Sequence, residues 1–524
     1  MLAKSLCFGL FGIEAYPVEI EVDVSSGLPA VTLVGLADTA IRESKERVKS
    51  AIKNSGFNWP GERITVSLAP SDIKKEGPAF DLAIALGILA ASGQLDSQKL
   101  MEYYILGELS LNGSLRPIQG GLPIAIALSK SRLKNIILPQ QSAREAAIVP
   151  EARVFPLRTL KETVEFLHNP AAIPPLVSDI DRLFLENGHY AVDFSEVKGQ
   201  YLAKRALEVA VSGRHNIAII GPPGSGKTML AKRIPTIMPD LSLEEILEVT
   251  KVHSVTGSCL IKSGLVCVRP FRNPHHSISD IALVGGGSIP KPGEISLAHQ
   301  GVLFLDELPE FHRNALEALR QPLEDGCISI SRINRSLTFP AAFMLVCALN
   351  PCPCGTQGQH KHPCRCSTTQ IARYRSKISG PLLDRIDIHI EVPAARYQEL
   401  TSTLPAESSA QIKERVEKAH AIQKERFSAK MLGGPATICG GKGEGIMCNA
   451  QMSHKQVRKF CELGKEESGL LKMAMAELNF SARAYDKILK VSRTIADLAG
   501  CENIKTEHLS EAIQYRSLDR DFFV

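Results

Sequence analysis

Apolar positions recur with two periods along this chain, and the switches between them mark its organisation. Period-two alternation predicts strands over residues 16–24, 63–68 and 104–109, because successive strand side chains point to opposite faces. Helical spacing predicts helices over 38–55 and 80–91 in the same N-terminal stretch. That stretch covers 1–168. It closes in a Pro-rich sequence at 168–175, so 169–193 reads as a linker. From 194 to 393 strands and helices alternate, the pattern of a parallel sheet with crossover helices. From 394 to 524 the spacing is helical, with helices expected over 406–427, 455–463, 481–499 and 506–516. A Gly-rich run at 433–445 interrupts this part and reads as a flexible loop. The expected fold class is α/β: a parallel-sheet core, a helical lid and a separate α+β N-terminal domain.

Three apolar runs in the central segment end in chemistry. The first, Asn216-Ile-Ala-Ile-Ile220, leads into Gly221-Pro222-Pro223-Gly224-Ser225-Gly226-Lys227-Thr228 and then a helical pattern. This is a phosphate-binding loop in its required context of strand, glycine turn and helix. Glycines let backbone N–H groups face phosphates without a Cβ in the way, and the helix N-terminus adds a favourable dipole. Lys227 is expected on the β and γ phosphates of ATP, and the Thr228 hydroxyl on Mg²⁺. The second run, Gly301-Val-Leu-Phe-Leu305, ends in Asp306 and Glu307. Such an Asp orients Mg²⁺ and the following acid polarises the attacking water. The third run, Met344-Leu-Val-Cys-Ala-Leu349, ends in Asn350, a residue able to place that water.

Composition changes this picture little. A formal charge of +5 with 22% charged residues does not by itself call for a nucleic-acid partner. The opening apolar run is broken by glycines and meets Glu14, so a strand is expected there rather than a signal peptide. No apolar run reaches the ~18 residues of a membrane span. A cytoplasmic protein without membrane attachment is expected. Its 13 cysteines are then expected not to form a disulfide framework.

Four of those cysteines cluster. Cys352-Pro-Cys354 and Cys364-Arg-Cys366 lie just after Asn350, with His360 and His362 between them. Four thiolates suit a closed structural Zn²⁺ site and leave no open position for catalysis. Tight C-x-C pairs depart from the commoner C-x-x-C spacing, and free thiols are the alternative. His275 and His276 read as part of a loop near the nucleotide or pore rather than as metal ligands. Around Arg332-Ile-Asn-Arg335 the alternation predicts a β-hairpin with a basic tip, a candidate for DNA phosphate contacts; the alternative is a hairpin with solvated charges. The chain has one Trp, Trp59, and no aromatic run able to stack bases.

The order of P-loop, Asp-Glu strand, Asn-tipped strand and helical lid resembles the AAA+ ATPases. Arg269-Pro-Phe-Arg-Asn-Pro-His-His276, the stretch from Gly285 to Glu294, and Gly380-Pro-Leu-Leu-Asp-Arg-Ile-Asp387 resemble their Mg-chelatase-like branch. With the N-terminal domain, nearly the whole chain resembles the ComM/YifB family. The resemblance implies an ATP- and Mg²⁺-dependent homo-hexamer that acts on single-stranded and branched DNA, a helicase-like motor promoting branch migration. It implies that Arg385 is an arginine finger acting on a neighbouring subunit's ATP, and that Arg483 is the sensor-2 arginine of the lid. It also implies that Gly199 and Gln200 lie near the adenine, and that Lys291 sits on a second pore-facing insert beside the Arg332–Arg335 hairpin.

The N-terminal segment resembles the proteolytic domain of Lon proteases. Glu76-Gly-Pro-Ala79-Phe-Asp81 stands at that family's nucleophilic serine, and Pro123 at its catalytic lysine. A Ser–Lys dyad needs a hydroxyl and an amine, and Ala79 and Pro123 offer neither. The fold is expected without peptidase chemistry. Lys74 and Lys75 beside this loop are candidates to face DNA, with two solvated lysines as the default reading. The competing reading is a chelatase-type ATPase that remodels a protein partner or drives metal insertion, although that subunit type lacks the Lon-like domain. A protease is disfavoured by Ala79 and Pro123, and a non-enzymatic scaffold by the intact Lys227, Thr228, Asp306 and Glu307.

Overall fold

The computed structural model describes residues 1–36, 38–75, 77–178, 188, 190–257, 264–287, 290–332, 335–357, 364–394, 406–428, 448–478 and 480–518. The expected loop at 433–445, together with His360 and His362, lies outside the described residues. The fold is mixed α/β and forms two compact units. One comprises Met1–Gly188 with Ile246–Cys267, the other His189–Glu245 with Val268–Val524. Residues 246–267 thus group with the first unit although they fall inside the 194–393 segment.

The first unit is built on a seven-stranded sheet. Its strands are β1 (Leu2–Phe11), β2 (Glu14–Ser25), β3 (Ala30–Val34), β4 (Arg63–Ala69), β5 (Tyr104–Ile105), β6 (Asn135–Pro139) and β7 (Arg153–Leu157). They lie in the order β3-β4-β2-β1-β5-β6-β7. β2 shows why the alternation was legible: Val18, Ile20, Val22 and Val24 are buried, while Glu19 and Glu21 face out and meet Lys4. The expected strand at 104–109 is split into Tyr104–Ile105 and Glu108–Leu109. Between them Leu106 N–H still donates to Ile137 O of β6, but Gly107 N–H donates to Ala79 O, which turns the chain out of the ladder.

Helix α1 (Thr39–Asn54) is capped by Asp38, whose carboxylate accepts the Ile41 N–H at 2.8 Å. Helix α2 (Asp81–Ala91) is buried on every side, as an all-apolar helix must be. Its one charge, Asp81, pairs with Arg47 at 3.0 Å; burial outweighs that cation and raises the acid to about 6. Lys75 is not solvated: its side chain is fully buried. Ala79 packs partly buried against the core, and Pro123 is buried in α3 (Gly121–Lys130).

The second unit holds a five-stranded sheet with its strands in parallel. β8 (Ile217–Ile220) lies between β15 (Met344–Leu349) and β16 (Ile388–Glu391), and β12 (Val302–Leu305) and β9 (Phe271–Arg272) follow beyond β15. β8, β12 and β15 are buried throughout, the continuous apolar runs of a sheet covered on both faces. Two hairpins stand apart from this sheet. One pairs β10 (Gly285–Gly286) with β11 (Lys291–Pro292), the other β13 (Cys327–Arg332) with β14 (Arg335–Pro340).

Helices α4 (Tyr201–Gly213) and α5 (Lys227–Ile237) flank the sheet, and α6 (Thr368–Arg375) falls between β15 and β16 in the chain. The lid contains α7 (Ser409–Arg426), α8 (His454–Phe460), α9 (Lys465–Glu477), α10 (Ala482–Leu498) and α11 (Thr506–Gln514). Ser408 and Ser481 cap α7 and α10. Helix α9 was not expected: Gly469 and a mixed pattern of buried and exposed positions hide its period. No described helix is long and apolar enough to cross a membrane. Ten of the described cysteines are free.

Candidate functional site

Parallel strands deliver their carboxyl ends to one edge of the sheet, where ligands of open α/β folds bind. Ile220 pairs with Leu349 and Leu305 with Cys347, so Gly221, Asn350 and Asp306 leave adjacent strands at this edge. The phosphate loop turns through Gly224 (φ +76°) and Gly226 (φ +87°), conformations that L side chains rarely adopt. A Cβ at Gly221 would stand 2.3 Å from Val392 O, so only glycine fits there.

Lys227 opens α5 and points back into the loop. Its amine donates to Gly221 O at 2.7 Å, to Pro222 O at 3.0 Å and to Asn350 Oδ1 at 3.2 Å. Burial lowers its pKa, while Asp306 and Glu307 oppose the shift. Thr228 donates to Asp306 Oδ2 at 2.8 Å, so the two groups expected to hold Mg²⁺ are already in contact. The Ser225 hydroxyl is buried without a hydrogen-bond partner. An orphaned donor in a loop rich in backbone N–H groups fits an anionic ligand such as a nucleotide phosphate. Gln200, at φ +53°, donates from Nε2 to Ser225 O at 2.5 Å, and Gly199 precedes it at φ +65°.

Glu307 has φ +54°, a left-handed conformation that is costly for a residue with a Cβ and recurs at functional sites. Its N–H donates to Asp306 Oδ1 at 3.0 Å. His276 Nδ1 lies 3.6 Å from Glu307 Oε2, and the His276 ring lies 4.0 Å, centroid to centroid, from that of His275. The sequence put His276 only near the nucleotide or pore; the structure makes it the partner of Glu307. The His-His pair was the signal, but its target is visible only in three dimensions.

Arg385 and Arg483 are held elsewhere. Arg385 pairs with Glu324 and donates to Pro381 O, and Arg483 Nη1 reaches Asp384 Oδ2 at 3.1 Å. Arg483, on α10, is thus tied to Asp384, the residue next to Arg385. Asn216, at the foot of the phosphate-loop strand, ties that loop to the sheet. Its Oδ1 accepts Leu345 N–H at 2.8 Å, its Nδ2 donates to Arg385 O at 2.9 Å, and its carbonyl accepts Asp387 N–H at 2.9 Å.

The two hairpins pack together: a Cβ at Gly285 would lie 3.4 Å from Ile330. Arg272 grips Glu294 with two bonds of 2.6 Å and fastens the β10–β11 hairpin to β9. Lys291 is exposed, and Arg332 pairs with Arg335 across the end of the second hairpin. Arg269 is structural: it is buried, donates to Gln300 O at 2.7 Å, and burial lowers it to about 10. The four Sγ atoms of Cys352, Cys354, Cys364 and Cys366 all lie within 4.8 Å of one another.

This sheet edge, with a phosphate loop, an Asp-Glu strand end and an Asn-tipped strand, defines a magnesium-chelatase-like AAA+ P-loop fold. The family model for magnesium chelatase, subunit ChlI, matches 193–400; that for subunit ChlI of Mg-chelatase matches 20–142; that for the ChlI C-terminal part matches 406–516. Competence protein ComM of Haemophilus influenzae is 45% identical over 513 residues, covering 97% of this chain and 96% of its own. YifB of Escherichia coli is 43% identical over 512 residues, with 97% and 96% covered. The magnesium-chelatase 67 kDa subunit of Chlorobaculum parvum is 27% identical over 164 residues, 30% of this chain and 23% of its own. The chain belongs to the ComM/YifB family of Mg-chelatase-like AAA+ proteins.

Proposed function

We propose that this protein is an ATP-driven DNA motor, a homo-hexameric ring that promotes branch migration of recombination intermediates, including those of natural transformation. One observation carries the ATPase reading: Lys227, Thr228, Asp306 and Asn350 converge by direct contacts at three adjacent strand ends. In this reading the β and γ phosphates replace the Gly221 and Pro222 carbonyls as partners of Lys227, and the backbone N–H groups of 224–228 cradle them. Thr228 and Asp306 would hold Mg²⁺, which would supply neutralisation of charge on the phosphate oxygens. Glu307 takes the proton of the attacking water, and Asn350 fixes that water in line.

Arg385 leaves Glu324 to reach the γ-phosphate of a neighbouring subunit, and Arg483, at the start of α10, leaves Asp384 to serve as the lid's sensor. That trans arrangement is what calls for a ring. Arg332, Arg335 and Lys291 make the contacts to DNA phosphates, single-stranded or branched. Such contacts are indifferent to sequence and weaken as salt rises. The first unit is a Lon-protease-like domain that has lost its dyad at Ala79 and Pro123 and serves assembly or DNA binding. The relative named for competence supports the DNA reading. The protein would work in the cytoplasm.

A second reading is a chelatase-type ATPase that remodels a protein or drives metal insertion, favoured by the family models and the chelatase-subunit relative. ATP turnover measured with no DNA, single strands, duplex and a branched junction separates the two, with Glu307→Gln as the blank. Stimulation by DNA that fades with salt supports the motor. Turnover indifferent to every DNA refutes it and favours the second reading.

A further inference from the structure

We infer that Cys352, Cys354, Cys364 and Cys366 form a tetrathiolate Zn²⁺ site whose task is to brace Asn350 and the phosphate loop. The functional half of this inference rests on the ATPase reading; the metal half does not. Cys352 Sγ lies 3.3 Å from Cys354 Sγ and 3.5 Å from Cys364 Sγ, and Cys354 and Cys364 are 3.5 Å apart. A tetrahedron with Zn–S bonds of ~2.3 Å has edges of ~3.8 Å, close to these separations. The backbone is shaped for the cluster. Gly355 turns at φ +77° with its N–H on Cys352 O at 2.9 Å, and the Cys366 N–H points at Cys364 Sγ at 3.4 Å. Four protein thiolates close the coordination sphere, which makes the site structural.

Its position gives it a task. Cys352 is fully buried two residues beyond Asn350, the group that accepts from Lys227. Gly355 packs on the phosphate loop so tightly that a Cβ would come 2.5 Å from Pro223 Cδ. Arg375, at the end of α6, donates to Gln357 Oε1 at 3.0 Å. Ser367, next to Cys366, caps the start of α6. One metal ion would therefore join the end of β15, the phosphate loop and the start of α6. Without it, Asn350 sits at the root of a loop with few apolar anchors.

The test uses the full-length protein purified under reducing conditions without chelators. One zinc per chain is expected, released in step with organomercurial capping of the thiols. Co²⁺ exchanged for zinc should give the absorption of tetrahedral thiolate cobalt. The double variant Cys352→Ser with Cys364→Ser should lose the metal. No metal after growth in zinc, iron at equal stoichiometry, or disulfide pairs among the four would overturn the site.

For the brace, zinc removal should lower ATP turnover roughly ten- to a hundredfold, as ångström-scale misplacement does, with nucleotide affinity little changed and turnover restored by zinc. Full turnover in the zinc-free protein would overturn the brace while leaving the site. A zinc-loaded protein that hydrolyses no ATP would sink the ATPase reading and leave the metal count standing.

Discussion

The two units of this chain differ in what they put at the positions where chemistry is looked for. In the second, reactive side chains sit in costly settings: Lys227 is desolvated, Ser225 is unpaired, and Glu307 has a left-handed backbone. In the first, the positions that resemble a peptidase dyad hold Ala79 and Pro123, both packed against apolar neighbours. Strain persists only where something offsets it, and function is the usual offset. A core needs no catalytic group to stay folded, so packing alone is enough to hold those two positions.

The contrast can be broken at several points. Arg385→Ala should cost turnover most, on the order of 10³-fold with nucleotide affinity kept, as expected of an arginine finger. Mixing it with Glu307→Gln protein should recover activity, because each partner supplies what the other lacks; no recovery would count against action in trans. Glu307→Gln alone should lose roughly 10²-fold in turnover while still binding ATP and assembling. Normal turnover there would remove the base assignment. Arg332→Ala with Arg335→Ala should leave basal turnover intact, abolish stimulation by DNA and flatten the salt dependence of binding by about two units of slope. Ala79→Ser should change nothing in a casein-cleavage assay, since Pro123 still offers no amine. Any cleavage would mean that the first unit kept a base that the comparison denies it.

The sequence was most informative where chemistry is local. Strand, glycine turn and helix are contiguous at 216–237, so the phosphate loop could be read directly, and the acids at 306 and 307 follow one apolar run. The burial alternation of β2 and the caps of α1, α7 and α10 are also local, and their boundaries fall within a few residues of expectation. What could not be read depends on distant partners. His276 faces Glu307 because β9 and β12 are neighbours in the sheet, a fact of topology. Lys75 looks like a surface lysine until the fold closes over it. The grouping of 246–267 with the first unit leaves no compositional mark.

Asn216 stands at the foot of the strand that leads into a subunit's own nucleotide loop, and the same side chain holds the carbonyl of Arg385, which in the proposed ring serves the next subunit. A single amide thus connects the site a protomer owns with the one it lends. Hydrolysis events around such a ring would keep time with one another rather than fire at random. A plot of turnover against the fraction of Glu307→Gln subunits should bend steeply for the wild type. For Asn216→Ala it should straighten, and equal curvature in both would show that the beat is kept elsewhere.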